Sequence, residues 1–190
     1  MKRIGFIGLG KLGLDCAEVF AQQYPTCGYD IYPRSSDMVK VYNSPSDVIE
    51  NSDWIFIAVP TPHSEGYDGS VPSSHMEPKD FGHDAVVQAL GFINEYATEP
   101  KKVVLISTVL PGTTRRKFAT FLKKEHQFLY NPYLIAMGSV KWDMANPEMV
   151  MIGTETGDPA EMQELVEIYK PLMQNKPRYV TGTWDECEAI

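Results

Sequence analysis

The glycines of Gly8-Leu9-Gly10-Lys11-Leu12-Gly13 are spaced to receive a phosphate. An apolar run, Ile4-Gly5-Phe6-Ile7, precedes them, and a helix-like stretch from Leu14 to Tyr24 follows. In a strand–turn–helix the first glycine permits the tight turn and the second lets a pyrophosphate approach the backbone. The third lets helix and strand pack closely, while free N–H groups at the helix start face the anion. Asp30 stands 17 residues after Gly13, at the end of the run Cys27-Gly28-Tyr29-Asp30-Ile31-Tyr32. A carboxylate there accepts both hydroxyls of an adenosine ribose and repels a 2′-phosphate, which favours NAD over NADP. Asp30 also reads as a turn residue closing a strand. Arg34, four residues on, suits a phosphate or stacking on adenine.

Three further segments carry polar groups where a strand is expected to end: Val59-Pro60-Thr61-Pro62, Ser107-Thr108-Val109-Leu110-Pro111-Gly112-Thr113 and Asn131-Pro132. The prolines fix the chain as it leaves each strand. Hydroxyls of Thr61, Ser107 and Thr108 can donate to a ribose, an amide or a water. Gly112 before Thr113 suggests a second helix start that is friendly to an anion. Singly, Ser107 and Thr113 read as caps and Pro62 as a turn; gathered at one sheet edge, they read as a site.

The elements that would position these groups follow from periodicity. Apolar runs alternate with helical stretches, the pattern of a parallel α/β sheet. Expected strands are 3–8, 27–32, 53–59, 102–108, 127–130, 149–152 and 178–180. Expected helices are 11–23, 37–42, 45–51, 81–96, 113–124 and 159–173. Val103-Val104-Leu105-Ile106 is apolar on both faces, as a buried parallel strand requires. Right-handed crossovers give a doubly wound, mostly parallel sheet with its ligand at the carboxyl edge. Two segments break the rhythm: 60–80, about twenty residues without periodicity, and 131–147.

The chain has 190 residues, 43% hydrophobic and 22% charged, which suits one domain with an ordinary core. Net charge is −8 without a basic stripe, so nucleic acid is not an expected partner. No apolar run reaches membrane-spanning length, and a cytoplasmic place is the expectation. Cys16, Cys27 and Cys187 lack metal or redox spacing and read as free thiols. His63, His75, His83 and His126 include no ligand pair, and no metal is expected. Arg115-Arg116 reads as the exposed face of a helix.

These residues resemble the NAD-binding domain of the UDP-glucose/GDP-mannose dehydrogenases. The likeness rests on the glycine turn, on Pro60-Thr61-Pro62, on Ser107 to Thr113, and on Asn131-Pro132 running without gaps to Gly138-Ser139, Asp143, Asn146-Pro147-Glu148 and Val150-Met151-Ile152-Gly153. It covers nearly the whole chain. The resemblance implies a Rossmann-like fold and oxidation of a nucleotide sugar's primary alcohol to a carboxylate by two NAD in succession. It implies cofactor contacts at Gly8, Gly10, Lys11, Leu12, Gly13, Asp30, Arg34, Val59, Thr61 and Ser107, with Thr108 placing a water or the substrate during hydride transfer. It also implies a cofactor domain over 1–183, a connecting helix starting at 184–190 with the rest of the family's chain absent, no activity from these residues alone, and a homodimer.

One departure stands out. Where the family carries two glutamates and an arginine after Asn-Pro, this sequence has Tyr133, Met137 and Ala136. A phenol of ordinary pKa near ~10 is a poor carboxylate at neutral pH, and general acid–base help is worth about 10²–10⁴ in rate. Two alternatives therefore stand beside the resemblance: a dinucleotide-binding module without catalysis, and another β-hydroxyacid-type dehydrogenase.

Overall fold

The computed structural model describes residues 1–70, 72, 74–136 and 138–189. Eight strands form one sheet in the order β3-β2-β1-β4-β5-β6-β7-β8. They are β1 Ile4–Ile7, β2 Thr26–Tyr29, β3 Lys40–Val41, β4 Trp54–Ile57, β5 Lys102–Leu105, β6 Gln127–Tyr130, β7 Met149–Thr154 and β8 Arg178–Thr183. All neighbours pair in parallel except β6 and β7, which meet antiparallel at Tyr130 and Gly153. The doubly wound, mostly parallel α/β fold expected from the sequence is present, with the order reversing between β1 and β4.

Strand alternation explains the two-sided core. Ile4, Phe6, Trp54, Phe56, Val104 and Leu129 face one side, with α1 (Lys11–Ala21), α5 (Val140–Ala145) and α6 (Pro159–Tyr169). Ile7, Ile55, Ile57, Val103, Leu105, Phe128 and Tyr130 face the other, with α2 (Pro45–Glu50), α3 (Asp84–Tyr96) and α7 (Trp184–Glu188). Successive side chains point to opposite faces, so strands covered on both sides must be apolar throughout. Phe6 stacks on Phe56 at 5.1 Å, and Phe20 of α1 closes the aromatic cluster at 4.7 Å from Phe56. Local caps set the helix starts. Asp158 accepts from Ala160 N–H ahead of Pro159, and Thr183 forms a capping box with Glu186.

Several expectations need correction. Residues 37–42 are not a helix. The Ser36 hydroxyl accepts from Met38 and Val39 N–H, which favours a turn over a helix. Lys40–Val41 then pairs with Cys27–Gly28 as a short edge strand. The helix expected over 113–124 is a π-helical turn, Thr114–Phe118, followed by the short α4, Ala119–Phe121. The helix expected from 81 begins at Asp84. The segment 131–147 hides α5, whose buried Val140 and Met144 lie four apart. Strands expected to reach 59 and 108 leave the ladder at Ile57 and Leu105, freeing their last residues to line a cavity.

Cys16, Cys27 and Cys187 are free and buried. Among the described residues, no helix is long and apolar enough to cross a membrane. No cluster of three potential metal ligands occurs among them either.

Candidate functional site

A cavity of about 450 Å³ opens at the carboxyl edge where the strand order reverses. The sequence pattern brings Gly8, Gly10, Lys11, Leu12, Asp30, Arg34, Val59, Thr61, Ser107 and Thr108 to its wall. Of the expected cofactor contacts, only Gly13 is not on that wall.

The three glycines do three different things. Gly8 takes φ +95°, a left-handed conformation that L side chains resist, and this turns the chain out of β1. A Cβ on Gly10 would meet nothing within 4 Å, so the backbone there borders open space. A Cβ on Gly13 would be driven into the Gly8 carbonyl group, 3.0 Å from its carbon and 3.2 Å from Ala58 Cβ. Gly13 is thus where α1 packs against the strand ends. No side chain caps α1. Its first N–H groups, at Lys11, Leu12 and Gly13, have no intrahelical acceptor and carry the positive end of the helix dipole. Space beside Gly10 with donors aimed into it fits a diphosphate.

Asp30 is both a turn residue and a cavity residue. One carboxylate oxygen accepts Leu9 N–H at 2.7 Å and the other accepts Tyr32 N–H at 2.9 Å. It thereby locks the glycine turn to the exit of β2, while each oxygen keeps a lone pair for another donor. Arg34 Nε lies 3.8 Å from Asp30. A ribose with free hydroxyls fits this carboxylate; a 2′-phosphate meets its charge, which Arg34 partly offsets.

Thr61 and Ser107 line the cavity but spend their hydroxyl protons inside the protein. Thr61 donates to the Thr108 carbonyl at 2.7 Å, and Ser107 to the Val59 carbonyl at 2.6 Å. Their protons lace the exits of β4 and β5 together. What they offer the cavity is lone pairs, suited to an amide N–H. Thr108 is exposed at the same rim.

Sequence reasoning missed the wall opposite. Ala85, Gln88, Ala89 and Phe92 of α3 line the cavity, as do Tyr29, Ile31 and Tyr32. Their helical spacing of i, i+3, i+4 and i+7 was the available signal, since it marks one face. Among the described residues of the 60–80 segment, only Pro60 and Thr61 reach the cavity. Beyond them, Gly82 N–H donates to the Pro62 carbonyl at 2.7 Å and closes the segment's neck.

Tyr133 borders this cavity and a second one of about 390 Å³, which Tyr169, Met144, Met173 and Arg178 also line. The Tyr133 hydroxyl is 2.6 Å from that of Tyr169. Tyr169 donates to Asn131 Oδ1, and Asn131 Nδ2 donates to the Met151 carbonyl at 2.6 Å. A backbone carbonyl only accepts, so the chain has one direction, and the Tyr133 proton is committed to Tyr169. Burial pushes both phenols well above the ordinary tyrosine value. Tyr133 is therefore held as a neutral phenol. Met137, at the second glutamate position, lies outside the described residues.

The anion-friendly start at Gly112–Thr113 is corrected by the structure, because the anion is already part of the chain. Buried Glu188 accepts Gly112 N–H at 2.5 Å and Thr114 N–H at 2.7 Å. Arg115 pairs with Asp185 at 2.7 Å and lies over the Trp184 ring, so it fastens α7 rather than facing solvent alone. Burial pushes the neighbouring Cys187 thiol up to about 11, leaving it a poor nucleophile at neutral pH.

Sheet order, glycine turn and the acidic residue ending β2 define a dinucleotide-binding α/β domain. Comparison with known proteins narrows this. Residues 31–173 match the UDP-glucose/GDP-mannose dehydrogenase family, NAD binding domain, and the chain belongs to that family. The glycine turn precedes the matched segment and stands on its geometry alone. UDP-glucose 6-dehydrogenase of Caenorhabditis elegans is 31% identical over 147 residues, covering 72% of this chain and 29% of that one. UDP-N-acetyl-D-mannosamine dehydrogenase of Methanococcus maripaludis is 26% identical over 205 residues, covering 96% of this chain and 45% of that one. The chain thus spans less than half the length of these relatives. A UDP-glucose dehydrogenase from Pyrobaculum islandicum shares the fold at TM-score 0.80 and 23% identity, over 99% of this chain and 48% of that one.

Proposed function

We propose that the chain binds NAD in the 450 Å³ cavity and forms the cofactor half of a nucleotide-sugar dehydrogenase. The observation that carries this is the open space at Gly10 beneath uncapped helix N–H groups, with the Asp30 carboxylate alongside. In this reading Gly8, Gly10, Lys11, Leu12 and Gly13 build the pyrophosphate cradle and Asp30 accepts the adenosine ribose. Arg34 flanks the adenine end. Val59, Thr61 and Ser107 border the nicotinamide, with the two hydroxyls accepting its amide. Thr108 places a water or the substrate hydroxyl at the rim. NAD, when bound, supplies the hydride acceptor; these residues supply orientation. The substrate is a nucleotide sugar whose primary alcohol is oxidised, the setting is cytoplasmic, and the whole protein forms dimers. The cofactor domain spans 1–183, and 184–190 begins the connecting helix.

Calorimetric titration with NAD, NADH and NADP tests the binding half. The expected result is micromolar to millimolar binding of NAD and NADH, weakened about tenfold or more by Asp30→Ala, since a hydrogen bond to a charged group is worth about 1.5–3 kcal/mol. Failure of either coenzyme to bind at several millimolar would refute it.

A second reading, a cofactor-binding domain that performs no oxidation, is favoured by one observation: Tyr133 is a neutral phenol whose proton is committed to the core. NADH formation by the full-length gene product, screened against UDP-sugars and small hydroxyacids, separates the readings. Turnover with a sugar nucleotide supports the first, turnover with a hydroxyacid supports the β-hydroxyacid alternative, and coenzyme binding without turnover supports the second.

A further inference from the structure

The segment from Ser107 to Thr114 is held at both ends. At the near end, Ser107 donates to the Val59 carbonyl and the Thr108 carbonyl accepts from Thr61, which sets the cavity rim. At the far end, Thr113 N–H closes a turn on the Leu110 carbonyl, and Gly112 adopts φ +81°. The N–H groups on either side of Thr113 then converge on one carboxylate, that of Glu188, at 2.5 and 2.7 Å. This carboxylate comes from α7, more than seventy residues away in sequence. The helix is seated independently: Trp184 donates to the Phe128 carbonyl, Asp185 pairs with Arg115, and Cys187 is buried. A buried carboxylate shared by two amides is a strong, directional anchor.

We propose that Glu188 is a positioning residue for the nicotinamide end of the coenzyme, fixing the Ser107–Thr108 rim through the amides of Gly112 and Thr114. The proposal rests on the cofactor reading above. The adenosine, ribose and pyrophosphate portions meet the glycine turn and Asp30, which Glu188 does not touch. Loosening Glu188 therefore removes the far anchor of the segment that carries Ser107 and Thr108, leaving the rim held by its near-end bonds alone, and leaves the adenine half unchanged. The cost of reordering that rim falls on ligands that carry a nicotinamide and not on those that lack one.

The test compares NADH with ADP-ribose, which lacks the nicotinamide, on the unsubstituted chain, Glu188→Gln and Asp185→Asn. Titrations are run beside thermal unfolding. The expected result is that Glu188→Gln loses about tenfold in NADH affinity and less than about twofold in ADP-ribose affinity, while Asp185→Asn keeps the ratio of the two. Equal loss for both ligands, or none for NADH, overturns the assignment of Glu188 while leaving the cofactor reading intact. If the unsubstituted chain binds neither ligand, both fall. Should Glu188→Gln not fold, hydrogen exchange on the unsubstituted chain decides. NADH, but not ADP-ribose, must slow exchange at Gly112 and Thr114, because coupling between rim and anchor is reciprocal; equal protection by both ligands overturns the proposal.

Discussion

Replacing Gly10 and Gly13 separately by alanine distinguishes a glycine that serves a ligand from one that serves the fold. At Gly13 the new methyl would be driven into the Gly8 carbonyl group, with its carbon at 3.0 Å and Ala58 Cβ at 3.2 Å. The obstruction on one side is backbone, so no side chain can swing away, and α1 must shift by roughly an ångström from the strand ends. Overpacking of this kind costs about 3 kcal/mol at the upper end of the usual range. For a chain of this size that lowers the unfolding midpoint by roughly 10 °C. At Gly10 the backbone has φ −68° and ψ −165°, which any residue adopts, and the methyl enters open space. Stability should change by less than about 1 kcal/mol, as the poorer cap is offset by a stiffer unfolded chain. The space the methyl enters is where the diphosphate sits in the proposed complex, so Gly10→Ala should lose NADH affinity by about tenfold or more. Differential scanning calorimetry and NADH titration on both variants check this. Full stability in Gly13→Ala, or unchanged affinity in Gly10→Ala, would refute the division of labour.

Further predictions concern the carboxyl edge and the core. Asp30→Ala should narrow the preference for NAD over NADP, because Arg34 is then left without its 3.8 Å neighbour; competitive titration reads the ratio. Tyr133→Phe should cost only about 1 kcal/mol, since Tyr169 still donates to Asn131, whereas Asn131→Ala strands the Tyr169 hydroxyl and the Met151 carbonyl and should cost about 2–4 kcal/mol by urea denaturation. Burial holds His83 and His126 below the ordinary value of 6.5. The unfolded chain then takes up protons first as pH falls below 6.5. Stability should be full above that pH and decline on acidification until the folded-state histidines protonate, and His126→Gln should flatten part of that slope in urea midpoints measured between pH 8 and 5.

Much of the site was legible because its parts are local. The order strand, glycine turn, helix is written in adjacent residues, and Asp30 follows at a distance set by one helix and one strand. The strand ends were legible as polar groups after apolar runs. The role of Thr61 and Ser107 was not, because each hydroxyl spends its proton on a carbonyl 47 or 48 residues distant. The stripe Ala85, Gln88, Ala89 and Phe92 was visible as a helix face, but nothing nearby in sequence says which sheet edge that face will meet. Residues 37–42 were misread because an edge strand of two residues has no periodicity to show, and its pairing with β2 is a contact across the chain.

By itself the amino-acid sequence determined the parallel, two-faced sheet, the phosphate-ready turn and the acidic end of β2. Backbone sterics, capping and side-chain periodicity act within a few residues and need no partner to be read. Only the tertiary structure decided that the second helix start is filled by Glu188, that Arg115 is drawn to Asp185 and Trp184, and that Tyr133 gives its proton to Tyr169. Each of these joins groups 36 or more residues apart. Such pairs exist only once the sheet order has brought distant strand ends to the same edge, so their chemistry is a property of the fold.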